Sequence, residues 1–237
     1  MISEESFVDF KCPYCGDTVS FPGDRAGFVE SCPSCFENLI VPVDASGAGR
    51  RIPLPITTPR LVLRRFAGGD WKDLMDLMGH ESLFEFEEGG PLEEEAILRW
   101  IESDHHVKLT TPDQLFCLGI ELREQSKLIG YIGLHFRDSQ CQQAILSVVL
   151  RPEYREPGAD LEAAQAVLRF CLVELNMHRV CAYLNSRNAP ALKLFDRAGM
   201  RREGEFVKDR FFRGEWINTV VMAALKEDLA GQVEGGS

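Results

Sequence analysis

The chain has 237 residues, 45% of them hydrophobic, enough for one full domain plus a small module. Its apolar runs are far too short to span a bilayer, and its first ten residues, MISEESFVDF, are acidic with no apolar core. No membrane span or secretory leader is read, and a cytoplasmic location is expected. A net charge of −11 and a pI of about 5.0 disfavour nucleic acid and anionic membranes as partners. They fit a cationic substrate, or plain acidic solubility.

The first motif met is Cys12-x2-Cys15 … Cys32-x2-Cys35, with Gly16 to Ser31 between the pairs. Each pair sits in a tight Cys-Pro-x-Cys turn, so four thiolates can converge on one ion, and the spacing predicts a structural zinc site. Two disulfides are the alternative, which a reducing compartment disfavours. Short strands are expected at Phe7–Lys11, Thr18–Phe21, Phe28–Ser31 and Leu39–Val43. The knuckles resemble those of the zinc ribbons attached to many bacterial proteins, here over residues 5–44. Three basic residues (Lys11, Arg25, Arg50) stand against eight acidic ones over residues 1–50, so phosphate binding is not expected. Docking to a protein partner, or to the chain's own second domain, is the expected role. Cys117, Cys141, Cys171 and Cys181 are scattered singly in apolar stretches and read as core residues. Residues 45–59 carry small residues and then Pro53, Pro55 and Pro59, a linker that begins flexible and ends extended.

From Arg60 the pattern changes. Arg60–Arg65 alternates as a strand. Asp70 is placed to cap a helix running to Met78, and the acidic, aromatic stretch Glu81–Gly90 reads as irregular. Pro91–Asp104 is a second helix. Leu115–Arg123 and Lys127–Phe136 form a hairpin, and Gln142–Leu150 is the next strand. Asp160 is placed to cap a long helix through Leu175. Arg179–Leu184 is a strand, and Ala189–Ala198 a helix with Asn188 as its cap and Gly199 at its end. Strands Glu203–Phe211 and Trp216–Leu225 close the chain. The order β-α-α-β-β-β-α-β-α-β-β predicts a mixed α/β sheet covered by helices. The glycine-containing turn from Arg155 to Asp160, at a helix start, is a ready anion site.

These residues fall into a known register. Thr58-Pro59-Arg60-Leu61-Val62-Leu63-Arg64, Ile129-Gly130-Tyr131-Ile132-Gly133-Leu134 and Arg151-Pro152-Glu153-Tyr154-Arg155-x-x-Gly158 followed by Glu162-Ala163 are the first matches. Asn176-Met177-His178-Arg179-Val180, Ala198-Gly199-Met200-Arg201-Arg202-Glu203-Gly204 and Gly214-x-Trp216 follow. From Thr58 to about Asp228 the chain resembles the GNAT superfamily of N-acetyltransferases, in particular the branch that acetylates ribosomal-protein N-termini. The resemblance implies a mostly antiparallel mixed sheet with flanking helices, a domain over residues 60–228, and a disordered tail at 229–237.

It also implies acetyl-CoA as co-substrate. Pantetheine would lie between splayed strands, on backbone groups of Val148, Val149 and Leu150. The diphosphate would sit on the turn containing Arg155, Gly158, Ala159 and Asp160, with Asn188 reaching in from the other side. An amine acceptor would then attack the thioester directly. The chain departs from the family pattern in several places. Asp160 replaces a small residue, Pro157 removes an N–H, Ile145 stands where a glutamate is common, Phe195 where a tyrosine is common, and Asn218 where an aspartate is common. His135 and Tyr183 remain as candidate proton acceptor and donor. Two classes stay open: an N-acetyltransferase acting on a protein N-terminus, polyamine or antibiotic, and an acetyltransferase fold kept as a binding module.

Overall fold

The structure is a computed structural model that describes residues 6–43, 47–109, 111–138, 142–155 and 158–228. In the N-terminal module, β1 (Phe7–Lys11) pairs with β2 (Thr18–Pro22), and β3 (Val29–Ser31) with β4 (Asn38–Ile40). The two cysteine turns are built alike. Cys12 N–H donates to Asp17 O and Gly16 N–H to Cys12 O; Cys32 N–H donates to Glu37 O and Phe36 N–H to Cys32 O. The fifth turn position is left-handed in both, at Gly16 (φ 80°) and Phe36 (φ 62°).

The expected linker does not run free. Its residues Arg50–Arg51 form β5 against β4, and Ile56–Thr57 form β6 against β7 (Leu61–Arg64). Two-residue strands in a proline-rich stretch leave no alternation to read. The module packs on its own second domain, one of the two roles expected for it. Val29 and Ile40 belong to one apolar cluster with Leu109, Phe116 and Phe136, and the buried Leu109 N–H donates to Asn38 Oδ1 at 2.9 Å.

In the second domain, α1 (Trp71–Met78) and α2 (Glu94–His106) precede β8 (Leu115–Leu122), β9 (Lys127–Phe136) and β10 (Gln143–Leu150). Then come α3 (Ala159–Arg169), β11 (Arg179–Asn185), α4 (Ala189–Arg197), β12 (Arg201–Phe212) and β13 (Glu215–Leu225). The eight-stranded sheet runs β12-β13-β11-β10-β9-β8-β7-β6, antiparallel except for β10–β11. This is the mixed, mostly antiparallel α/β fold expected. Alternation along β10 sends Leu146 and Leu150 into the core beneath α3 and α4, and Val149 into the core beneath α1 and α2. The helix expected to run to Leu175 loosens after Arg169 into one wide turn, Phe170–Glu174.

Two clamps hold this frame. Glu162 accepts from Thr58 Oγ1 (2.6 Å), Arg60 N–H (3.0 Å) and Arg60 Nε (2.5 Å), joining α3 to the edge strand. Burial works against its ionisation, but these hydrogen bonds win and lower its pKa. Arg151, buried at the end of β10, donates to Asp73 O at 3.0 Å and pairs with Asp76, tying α1 to the strand end. Asp70 stands where a cap was expected, but its carboxylate takes Arg64 and the Ala67 N–H instead of a helix N–H.

Candidate active site and metal centre

β10 and β11 pair only over Gln143–Ile145 and Arg179–Cys181. Beyond that, β10 continues to Leu150 against β9 alone, and β11 continues to Asn185 against β13 alone. A wedge-shaped gap opens between them. Arg151 N–H donates to Ile129 O on β9. Peptide groups alternate along a strand, so those of Val149 also face β9, and those of Val148 and Leu150 face the gap. Of the three residues expected to offer backbone groups, two do so. Val149 contributes its side chain.

The gap holds a cavity of about 150 Å³ that brings Val148, Val149, Leu150, Arg155, Asp160 and Asn188 together, with Ser82–Phe86 across its mouth. Six of the eight residues read from sequence as cofactor-binding thus converge on one space. Asn188 also caps α4, its Oδ1 accepting from Ala191 N–H at 3.1 Å. Gly158 (φ 88°) precedes α3 at its N-cap position, and a Cβ there would meet nothing within 4 Å. The first N–H groups of α3 have no acceptors within the helix. An open strand edge leading to a helix start with room above it fits the pantetheine and diphosphate of acetyl-CoA. Glu156 and Pro157 lie outside the described residues.

Asp160 differs from its expected role. The helix begins at Ala159, so Asp160 lies inside the first turn, and its Oδ1 accepts the Leu161 N–H at 2.8 Å. A carboxylate thus occupies a donor that an incoming diphosphate would use. Asp160→Asn keeps an acceptor for that N–H but removes the charge. Two like charges 4 Å apart repel by about 1 to 4 kcal/mol. Asp160→Asn is therefore expected to tighten acetyl-CoA binding roughly fivefold or more in calorimetric titration. Unchanged or weaker binding would place the diphosphate elsewhere.

A second cavity, about 250 Å³, lies on the α1–α2 side, between Leu83, Phe84, Glu87 and Glu88 on one wall and Tyr131 and Val149 on the other. Leu83 and Val149 line both cavities. The closing hairpin holds the acidic lip: Arg213 donates to Phe84 O at 2.8 Å and Arg210 to Phe86 O at 3.5 Å. Burial raises the pKa of Glu87, and Arg210, 3.9 Å away, partly offsets it. Sequence reasoning missed this wall. Its one local sign was the acidic, aromatic composition of Glu81–Gly90. A larger cavity, about 880 Å³, lies between Thr57–Arg60 and the outer face of α3, and does not reach β10.

The two catalytic candidates lie apart from both cavities. His135 is opposite Ile145, on the paired end of β10, with Nε2 3.9 Å from Asp113. That is four residues, about 13 Å of strand, from Tyr131. Tyr183 lies on the splayed part of β11, but its hydroxyl accepts from Arg137 at 3.2 Å, back toward the paired end. Phe195, at the position where a tyrosine is common, is buried in the core.

In the N-terminal module the Sγ atoms of Cys12, Cys15, Cys32 and Cys35 lie within 4.8 Å of one another. Cys12–Cys35 is 3.8 Å and Cys15–Cys32 is 3.9 Å. Four sulfurs about 2.3 Å from one ion in a tetrahedron stand roughly 3.8 Å apart, so the donor set fits zinc. Burial opposes ionisation of Cys32, but the N–H groups of Cys35 and Ser34 prevail and lower its pKa to about 7. At Cys15 the Asp17 amide favours the thiolate, yet desolvation and the neighbouring sulfurs push it up to about 12. Four thiolates cannot coexist here without a cation. Cys117, Cys171 and Cys181 are buried as expected, and Cys141 lies outside the described residues. No helix among the described residues is long and apolar enough to cross a membrane.

Comparison with known proteins places this arrangement. Residues 60–201 match the acetyltransferase (GNAT) domain family. The uncharacterized N-acetyltransferase YnaD of Bacillus subtilis is 30% identical over 173 residues, 73% of this chain and 98% of that protein. A GNAT-family acetyltransferase from Bacillus anthracis superposes with a TM-score of 0.65 at 26% identity, covering 73% of this chain and 98% of that one. A spermidine N-acetyltransferase of Vibrio cholerae, solved with CoA and spermine, superposes with a TM-score of 0.63 at 20% identity, covering 73% and 99%. On the family match over residues 60–201 and the 30% identity to a full-length relative, the chain belongs to the GNAT family of N-acetyltransferases.

Proposed function

We propose that the chain transfers the acetyl group of acetyl-CoA to a primary amine of a small cationic molecule, by direct attack in a ternary complex. The observation that carries this reading is the shared wall of the two cavities. Acetyl-CoA would enter along Val148 and Leu150, with its diphosphate at Arg155, Gly158, Ala159 and Asp160, and would bring its thioester to Val149. The acceptor would approach the same point from the other side, past Glu87 and Glu88. A lip of carboxylates and aromatic rings attracts an ammonium group. The Vibrio cholerae relative solved with spermine supports a polyamine-like acceptor.

In this reading residues 60–228 are the acetyltransferase domain. Residues 5–44 are a ribbon with one zinc on Cys12, Cys15, Cys32 and Cys35, joined by residues 45–59. The ion would supply fold, not chemistry, since none of the four cysteines lines either cavity.

The test is product analysis by mass spectrometry after incubation with acetyl-CoA and, separately, spermine, spermidine and a peptide with a free N-terminus. Acetylation of the polyamines is expected, together with acetyl-CoA protection against heat unfolding, about 2.7 kcal/mol at a hundred times its Kd. Protection without acetylation of any amine would overturn the reading of the acceptor. Absence of both would overturn the whole of it.

A further inference from the structure

We infer that Glu87 is the catalytic residue that accepts the proton of the incoming ammonium group; this rests on the reading of the acceptor pocket given above. Glu87 borders two cavities at once, as Glu88 does, and of the two it is Glu87 that pairs with Arg210 of the hairpin, at 3.9 Å. One is the 250 Å³ pocket that ends on Val149 and Tyr131. The other, about 310 Å³, lies against Phe211, Phe212 and Arg213 of the hairpin. A carboxylate between an inner pocket and an outer one can take a proton on one side and pass it to solvent on the other. About half of its side chain, 51%, is exposed.

The groups facing Glu87 are Glu88 beside it, Tyr131 from β9, and Arg210 and Arg213 from the hairpin. Tyr131 packs edge-on against Phe66 and Trp100 and ends in the inner pocket without a hydrogen-bond partner among the described residues. It marks the pocket as built for a polar guest. It is not the base, because burial raises its pKa and keeps the phenol protonated. The arginines cannot accept a proton. Partial burial raises the pKa of Glu87 and Arg210 works against it, so the half-exposed carboxylate is a stronger base than one free in water.

The step balances as follows. The ammonium loses one proton to the Glu87 carboxylate, and the freed lone pair attacks the thioester carbon. A C–N bond forms and the C–S bond breaks. The second proton leaves the nitrogen as the tetrahedral intermediate collapses, and the departing thiolate takes it. The proton on Glu87 escapes to solvent through the outer cavity. Arg210 is a positioning residue, holding the lip through Phe86 O and holding the carboxylate ionised.

The test is Glu87→Gln in the full-length chain, assayed with spermine across pH. A kcat loss of about a hundredfold at pH 7 is expected, with acetyl-CoA Kd unchanged. The loss should shrink as pH rises toward the amine's own pKa, about 10.4 for an alkyl ammonium, where no base is needed. Arg210→Gln should move the acidic limb of kcat/KM to higher pH. An undiminished kcat in Glu87→Gln, or a loss equal at every pH and carried by KM alone, would overturn the assignment while leaving the proposed function standing. A wild type that acetylates no amine would overturn both.

Discussion

Elemental analysis is expected to find one zinc per chain in the wild type and none in Cys32→Ser. Residues 6–43 should then become open to proteolysis, and the melting temperature should fall. Among the described residues the ribbon's apolar cluster buries Val8, Phe10, Cys12, Val19, Cys32, Leu39 and Val41, with Tyr14, Phe21, Ala26 and Cys35 packed partly buried against them, too small a core to fold alone. Structural zinc contributes about 10–16 kcal/mol of apparent binding free energy at pH 7, and in so small a module that is folding free energy. The effect should not stop at the ribbon, because Val29 and Ile40 share a cluster with Leu109 and Phe116 of the second domain. A chelator should reproduce it, more readily as pH falls. Zinc binding needs all four thiols deprotonated, and even Cys32, whose pKa burial raises but neighbouring N–H groups lower to about 7, is reprotonated as pH falls below that. Wild-type protein that lacks metal yet keeps residues 6–43 protected from protease would refute this account.

Gly130→Ala is expected to damage the strand that offers its edge to acetyl-CoA. A Cβ at Gly130 would lie 2.2 Å from Val149 O, 2.8 Å from Leu150 Cδ1 and 2.9 Å from Leu150 Cα. Two of these atoms are backbone, so β10 itself must move. Overpacking of this kind costs about 1–3 kcal/mol, occasionally more. The move displaces Val149 and Leu150, and acetyl-CoA binding should weaken at least tenfold. Gly133→Ala provides the contrast. There the Cβ would meet Ser147 Oγ at 2.5 Å and Leu115 Cδ1 at 2.9 Å, both side-chain atoms that can swing away. Denaturant unfolding and calorimetry on the two variants should separate them. Equal stability and equal affinity would mean that β10 yields without consequence.

The elements of the second domain could be read because alternation and helical spacing are local signals. The paired Cys-Pro-x-Cys turns marked in the same way the four cysteines whose sulfurs the structure brings together, since knuckle geometry lies within five residues. The turn at Arg155–Asp160 was legible as an anion site, but not the details of Asp160, because one residue's shift in helix start turns a cap into a first-turn carboxylate. The direction of the Val149 peptide was hidden, since it depends on which neighbour β10 pairs with. Glu87, Glu88 and Tyr131 were not legible as a wall. They lie some forty residues apart in sequence, and the lip is held by Arg210 and Arg213, more than 120 residues further on. His135 and Tyr183 were chosen by residue chemistry alone; the register puts both on the same sheet face as Tyr131, but neither lines either cavity.

The match to the family begins at residue 60, but one apolar cluster draws residues from both sides of that point. Leu109 is 2% exposed, and its N–H donates to Asn38 Oδ1 of the ribbon. A gene cut at the family boundary would encode a domain with a freshly exposed apolar scar and an amide that has lost its acceptor. Such a fragment should be a poor reagent, prone to self-association whatever the state of its active site. The boundary of the family match is a line in the sequence, and here it runs through a shared core.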